Sequence, residues 1–378
     1  VGTLHHRSRV AKAPLTFTAA LRQAGYFVQW AAKKDFNFEP AADFADSEAN
    51  WVDACIHADF FEQCAAKNQP CFLYHNFAVT HESSMWRHEP DLWGAYRERL
   101  AQETLLSRLI ELGEVVVPEY LADTPEVRGD LVRYYEALAI QDAQIGAVLA
   151  ALAASPLADS TYAMYLSDHG RGLLREKRWC YAPGLHMPLV MRGPGIASGT
   201  QHNGLISWVD IAPTVCDLAE VARPDYFEGV NFLTEPRSYA FAGRDRMDEV
   251  TDAQRAVTDG TWLYVQNLNA ELPWSAEMSY QSRQLTTKTM CELHTQGRLT
   301  GVPAQWFAST KPPEELYSLA DDPACVRNCI EDTAAADARQ RLRDALAYHG
   351  TAVPDLGRLS EQALVDDGIL VGPAGGAR

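Results

Sequence analysis

Residues 161–195 read TYAMYLSDHGRGLLREKRWCYAPGLHMPLVMRGPG. Tyr162 to Leu166 is an apolar and aromatic run of strand length, which predicts a strand buried on both faces, as parallel sheets require. It ends abruptly in Ser167, Asp168, His169 and Gly170. In open α/β sheets ligands sit in the crevice beyond the carboxyl ends of strands. Asp168 and His169 therefore stand where an oxygen and a nitrogen could face a metal ion, on a turn that Gly170 lets bend. Taken alone, Asp-His-Gly after a strand is more often a turn with a helix cap. A basic cluster comes next, Arg171, Arg175, Lys177, Arg178 and further on Arg192, with Glu176 the only acid among them. Cation and basic side chains at one strand end point to an anionic substrate.

Upstream, Thr16 to Gly25 has helical spacing and a glycine stop, and Tyr26 to Ala32 reads as the following strand, with Lys33 and Lys34 just past its end. Trp51 to Lys67 is helical in pattern. Cys71 to Val79 is the next buried strand, and it too ends in polar residues, Thr80, His81, Glu82 and Ser83. Asp91 to Leu112 reads as a helical lid or insertion, and Val115 to Pro125 as an extended loop. Glu126 to Ala154 carries the strongest helical pattern in the chain and delivers it to Tyr162, as a right-handed crossover would.

Beyond the central stretch, Trp208 to Thr214 leads a strand end into a helix with Pro213 in its first turn, and Asp210 reads as a helix cap rather than a catalytic acid. A boundary is placed near Asn231, giving an α/β domain over 1–230 and an α+β subdomain over 231–378. In the latter, Ser238 to Gly243 is a short strand. Two β-rich runs joined by Asp259-Gly260 predict a type I′ hairpin. Leu316 to Leu319 is a further strand, Ala334 to His349 a covering helix stopped by Gly350, and the tail beyond Gly368 is loose.

The collinear order of Lys33, THES at 80–83, SDHG at 167–170, Lys177, PLVMRGPG at 188–195 and EELYSLADDP at 314–323 resembles the sulfatase family of the alkaline phosphatase superfamily. THES looks especially like a bacterial subgroup related to heparan N-sulfatase. The resemblance implies an alkaline-phosphatase-like sandwich with a mostly parallel sheet, and hydrolysis of a sulfate ester or N-sulfate on a small anionic substrate such as a sulfated sugar. It implies that Asp168 and His169 hold a divalent metal. It also implies that Lys33 (Lys34 as fallback), His81 and Lys177 contact sulfate, with Arg178 and His6 lining the substrate. Calcium is the family's usual metal. Most sulfatases have Asn at the position of His169, and imidazole suits zinc or manganese better than calcium. SDHG also occurs in phosphonate monoester and phosphodiester hydrolases of the superfamily, which stand as the alternative enzyme class, beside a non-catalytic homologue.

The family cleaves sulfate with a formylglycine made in a CxPxR or SxPxR motif, and no Cys or Ser here begins one. The expectation is that the nucleophile and two aspartate ligands lie outside this sequence, and that a chain beginning at Val1 would be inactive. Composition agrees with a globular protein: 378 residues, 47% hydrophobic and 22% charged. A net charge of −17 disfavours a nucleic-acid partner. The eight cysteines lack paired spacing and read as thiols, and no apolar run approaches the ~18 residues of a membrane span.

Overall fold

The computed structural model describes residues 8–31, 33, 36–38, 44–48, 59–86, 109–247 and 249–371. Helix α1 (Phe17–Gln23) starts where the Thr16 hydroxyl accepts the Ala19 amide at 3.2 Å and ends where Gly25, at φ 95°, turns the chain. The turn feeds β1 (Phe27–Ala31), the middle strand of a parallel sheet with order β2-β1-β3, where β2 is Ser47–Glu48 and β3 is Cys71–His75. Trp30 of β1 stacks on Tyr74 of β3 at 4.3 Å, fixing the register on one face. Of the helix expected over 51–67, the described part is α2 (Asp59–Ala66). Strand β3 stops at His75, earlier than expected, because the Asn76 amide caps Ala31 at 3.0 Å and the chain then winds into a 3-10 turn at Ala78–Thr80. The insertion expected over 91–112 lies outside the described residues except for its last few.

The Thr124 hydroxyl and Pro125 start α3 (Pro125–Ala153), 29 residues long. Its Val127, Leu131 and Ile140 are fully buried. Among the described residues α3 is the one helix long enough for a membrane crossing that also holds an 18-residue window apolar enough for it, of mean hydropathy 1.3. No continuous apolar run announces this, because charged and polar residues interrupt even that window.

Strand β4 (Ala163–Leu166) departs from the expectation. Its four residues are only half-buried, and its partner is β5 (Leu189–Arg192), antiparallel to it. The cause is the loop between them. The Gly170 amide donates to the Gly184 carbonyl at 3.2 Å, so the chain folds back beside the strand it has just left. Among the described residues β4 does not pair with β3, so α3 is not a crossover within one sheet.

Helix α4 (Ile211–Leu218) follows a 3-10 turn at Trp208–Asp210. Asp210 does cap, but it caps that turn rather than α4. Its carboxylate accepts the Ser207 amide at 2.8 Å, the Val230 amide at 2.9 Å and the Arg237 Nε at 2.9 Å, all fully buried at the carboxylate.

The C-terminal part is an antiparallel sheet of order β6-β7-β8-β9: Ala240–Met247, Val250–Thr258, Trp262–Asn267 and Glu314–Ser318. Only Gly260 in the β7–β8 turn has positive φ, at 87°, so the turn is not type I′. Asp259 shapes it instead, accepting the Thr261 and Trp262 amides at 2.9 and 2.8 Å. Helices α5 (Leu285–Thr295) and α6 (Ala336–Ala352) belong to this part, and α6 covers β7 and β8 through Leu342 and the Ala335 that precedes it. Gly350 does not stop α6. The helix runs on to Ala352 and breaks before Pro354, which disfavours helical geometry in Val353.

The main core lies between α3, the loop after β4 and the C-terminal sheet. It joins Leu131, Leu173, Leu174 and Trp179 to Val265, Trp306 and Tyr317. At its centre the buried Glu315 carboxylate of β9 accepts from the Tyr181 hydroxyl at 3.0 Å, from Asn267 at 2.5 Å and from the Tyr317 hydroxyl. Trp274 donates to the same Tyr181 oxygen at 2.6 Å, and the Arg175 guanidinium lies 4.4 Å over the Tyr181 ring and donates to the Cys325 carbonyl. Residues from both sides of position 230 thus share one core. The seven described cysteines are free thiols.

Candidate active site

The carboxyl ends of β1, β3 and β4 carry the candidate residues. Lys33 is held just past β1: its amide donates to Asn76 Oδ1 at 3.0 Å and its carbonyl accepts the Trp30 indole at 3.3 Å. Asn76 thereby staples two adjacent parallel strand ends. His81 caps the 3-10 turn Glu82–Met85, with Nδ1 2.7 Å from the Ser83 hydroxyl and 3.4 Å from the Ser83 amide. An Nδ1 that accepts from that amide leaves the ring proton on Nε2.

After β4, the Ser167 hydroxyl donates to the His169 carbonyl at 2.8 Å and the Trp208 indole donates to the Ser167 carbonyl at 3.0 Å. The turn needs Gly170 because of crowding. A Cβ there would lie 2.1 Å from the Pro183 carbonyl oxygen. His169 Nδ1 sits 2.8 Å from the Gly170 carbonyl, so Nε2 faces Asp168, 3.4 Å from its Oδ2. The Asp168 side chain is 76% exposed.

The basic cluster does not present itself as a whole. Arg171 is locked onto Glu176 by two hydrogen bonds of 2.6 and 2.7 Å, with the Tyr120 hydroxyl adding one of 2.8 Å. Arg175 is buried in the Glu315 cluster, and Arg192 lies opposite Ala163, at the far end of β4 from Asp168. Arg178 grips Glu82 with two bonds of 2.9 and 2.6 Å, and its side chain is 3% exposed. Arg175 and Arg178 both hold positive φ, 64° and 79°, a conformation costly for residues with a Cβ. Their buried guanidinium contacts offset that cost. Lys177 lies 3.1 Å from Glu82 Oε2 and keeps 18% of its side chain exposed.

Glu82 is the residue that sequence reasoning quoted without a role. It is buried, it joins the turn after β3 to the loop after β4, and it neutralises two adjacent cations. Burial alone would raise its carboxyl, but the Arg178 hydrogen bonds and the Lys177 charge hold it below the usual range. Gly172 packs so close that a Cβ there would meet the Glu82 Cβ at 2.2 Å. No pattern in the sequence marks a buried acid inside an expected anion site.

The electrostatics tie the rest together. Burial pushes the His81 ring down to about 4, and the Lys177 and Lys33 charges act in the same direction. Burial lowers Lys177 against the pull of Glu82, and lowers His169 with help from Lys177 and against the Asp168 charge. Lys33, His81, Asp168, His169 and Lys177 thus form one neighbourhood, with Arg178 behind Glu82. His6 and Lys34 lie outside the described residues.

Among the described residues no group of three or more His, Cys, Asp or Glu side chains is arranged to hold a metal ion. Asp168 and His169 alone offer one oxygen and one nitrogen, half of a coordination shell.

This layout of strand-end lysines, His81 and the Asp168–His169 pair lies within residues 3–221, which match the Sulfatase family model. The chain belongs to the sulfatase family. An ulvan-active sulfatase of Formosa agariphila is 30% identical over 371 residues, covering 92% of this chain and 61% of that protein. Human N-sulphoglucosamine sulphohydrolase is 25% identical over 310 residues, covering 74% of this chain and 60% of its own length. The chain thus spans about three fifths of these relatives. A similar fold is found in a solved structure in complex with its substrate D-glucosamine-2-N,6-O-disulfate, with a TM-score of 0.61 and 16% identity over 95% of this chain and 87% of the other.

Proposed function

We propose that this sulfatase-family chain binds a sulfate ester or N-sulfate of a saccharide for hydrolysis, with Lys33, His81 and Lys177 surrounding the sulfate group. The observation that carries the reading is the placement of Lys33 just past β1, the part-buried His81 after β3 and Lys177 in the loop after β4, with both lysine charges acting on the His81 ring. Cleaving a sulfate ester brings an anion against an anion, and fixed positive donors offset that repulsion and stabilise the charge that develops. Lys177 is held by Glu82 before any ligand arrives, so its ammonium needs little reorganisation to reach a sulfate oxygen. His81 is neutral near pH 7 and offers its Nε2–H as a hydrogen-bond donor to sulfate or to the leaving group.

Asp168 Oδ2 and His169 Nε2 would hold a divalent cation, calcium by family habit, or zinc or manganese given the imidazole. Such an ion supplies charge neutralisation at sulfate oxygens when bound. The nucleophile is assigned to no residue of this chain.

The test uses the full-length protein containing this sequence, assayed on an aryl sulfate, a sulfated glucosamine and a phosphonate monoester. Sulfate turnover exceeding phosphonate turnover, abolished by chelator and restored by a divalent metal, is expected. Preference for the phosphonate, or turnover of neither, overturns the reading.

A further inference from the structure

We propose that Tyr280 and Arg283 form a second anion subsite at the rim of the sulfate site, which takes an acidic group on the saccharide unit next to the sulfated one. The inference rests on the sulfatase reading of the main site and adds the substrate's neighbouring charge to it.

Tyr280 begins the 3-10 turn Gln281–Arg283, which belongs to the C-terminal part of the chain. Its ring lies 6.4 Å edge-on from His81 and 4.6 Å from Trp86, and the Arg178 guanidinium is 5.7 Å above it. The Tyr280 ring therefore borders the residues proposed to hold sulfate. Arg283 sits one step further out, its guanidinium carbon 4.9 Å over the Trp86 ring and 5.7 Å over Tyr280. These are cation–π distances.

Three features separate Arg283 from the other arginines near the site. It is exposed, and it forms no ion pair among the described residues. Arg171 and Arg178, by contrast, are each locked to a buried glutamate. The turn that carries it is also rigidly seated. The Ser282 hydroxyl bonds the Met278 carbonyl at 3.0 Å, the Gln284 amide bonds the Gln281 carbonyl at 3.1 Å, and the buried Gln284 side chain donates to the Gly172 carbonyl of the basic loop. An uncommitted guanidinium held on an aromatic shelf, in a chain of net charge −17, is a placed receptor for one anionic group. The partly exposed Tyr280 ring beside it suits the apolar face of a sugar ring, with the buried Trp86 beneath. A carboxylate and a second sulfate share the chemistry that Arg283 would recognise.

The experiment measures kcat/KM of the full-length protein and of its Arg283→Gln variant on three sulfated disaccharides, whose neighbouring unit is neutral, carries a carboxylate or carries a second sulfate. The ratio of acidic to neutral substrate is expected to fall about tenfold in the variant, and Arg283→Lys to recover part of it. A fall confined to the carboxylate substrate names the uronate as occupant, and one confined to the disulfate names the second sulfate. An unchanged ratio for both acids overturns the proposal while leaving the sulfatase reading intact. If wild type turns over no sulfate, the main reading fails. Calorimetric binding of the sulfate-free uronate disaccharide to wild type and Arg283→Gln then decides the subsite, with equal affinities overturning it.

Discussion

The Lys177 ammonium lies 3.1 Å from the Glu82 carboxylate, which Arg178 grips from another side through two hydrogen bonds. A buried acid is thus shared by two consecutive cations, and the pairing fixes where the exposed part of Lys177 points.

Glu82→Gln leaves Lys177 and Arg178 without a counter-charge in a buried place. Breaking such a pair from one side costs about 3 kcal/mol or more. The denaturant midpoint of unfolding is expected to fall accordingly, with turnover falling too. An unchanged midpoint would show that solvent reaches this cluster.

Under the proposed function, Lys177→Ala and His81→Ala each remove a donor to charge that develops in the transition state, and each is expected to lower kcat by roughly a hundredfold or more. Single-turnover rates on an aryl sulfate check this. Effects within about twofold of wild type would remove both residues from the site.

His81 predicts a pH dependence of stability. The unfolded imidazole takes up its proton near 6.5, whereas the folded ring, partly buried and facing the Lys177 and Lys33 charges, does so only at about 4 despite the opposing Glu82 charge. Between those values the unfolded state holds more protons, so stability is full above 6.5 and declines as pH falls toward 4. In unfolding curves taken across that window, His81→Gln is expected to flatten part of the decline. Parallel curves for the two proteins would contradict it.

Gly170→Ala places a methyl 2.1 Å from the Pro183 carbonyl, which is backbone and cannot swing aside. A loss of about 1–3 kcal/mol is expected, with the Asp168–His169 pair displaced. Thermal unfolding together with metal titration of the variant reads both effects.

The strand ends were legible because apolar runs that stop in polar clusters are a local pattern. That pattern marks Asp168 and His169, whereas Lys33, His81 and Lys177 gain a role only from the collinear resemblance to the sulfatase family. The partner of β4 was not legible. An apolar run looks the same whether its neighbour is parallel or antiparallel, and the Gly170–Gly184 bond that folds the loop back is a contact between distant residues. The fates of Arg171, Arg175 and Arg178 were hidden for the same reason, because charge composition does not say which arginine meets a buried acid. The C-terminal sheet was read well, since hairpins and a covering helix are short-range features. The error at Asp259-Gly260 arose because one positive φ suffices once the Asp259 side chain caps the turn.

Glu315 sits in the last strand of the C-terminal sheet, yet one of the donors to its carboxylate is Tyr181, four residues beyond Lys177. The loop that carries Lys177 and the C-terminal sheet are therefore joined through one buried hydrogen-bond cluster. Grafting the C-terminal part of one relative onto the front part of another would carry over a foreign set of partners for Tyr181 and Arg175. Chimeras made at residue 230 should lose turnover before they lose their sheets.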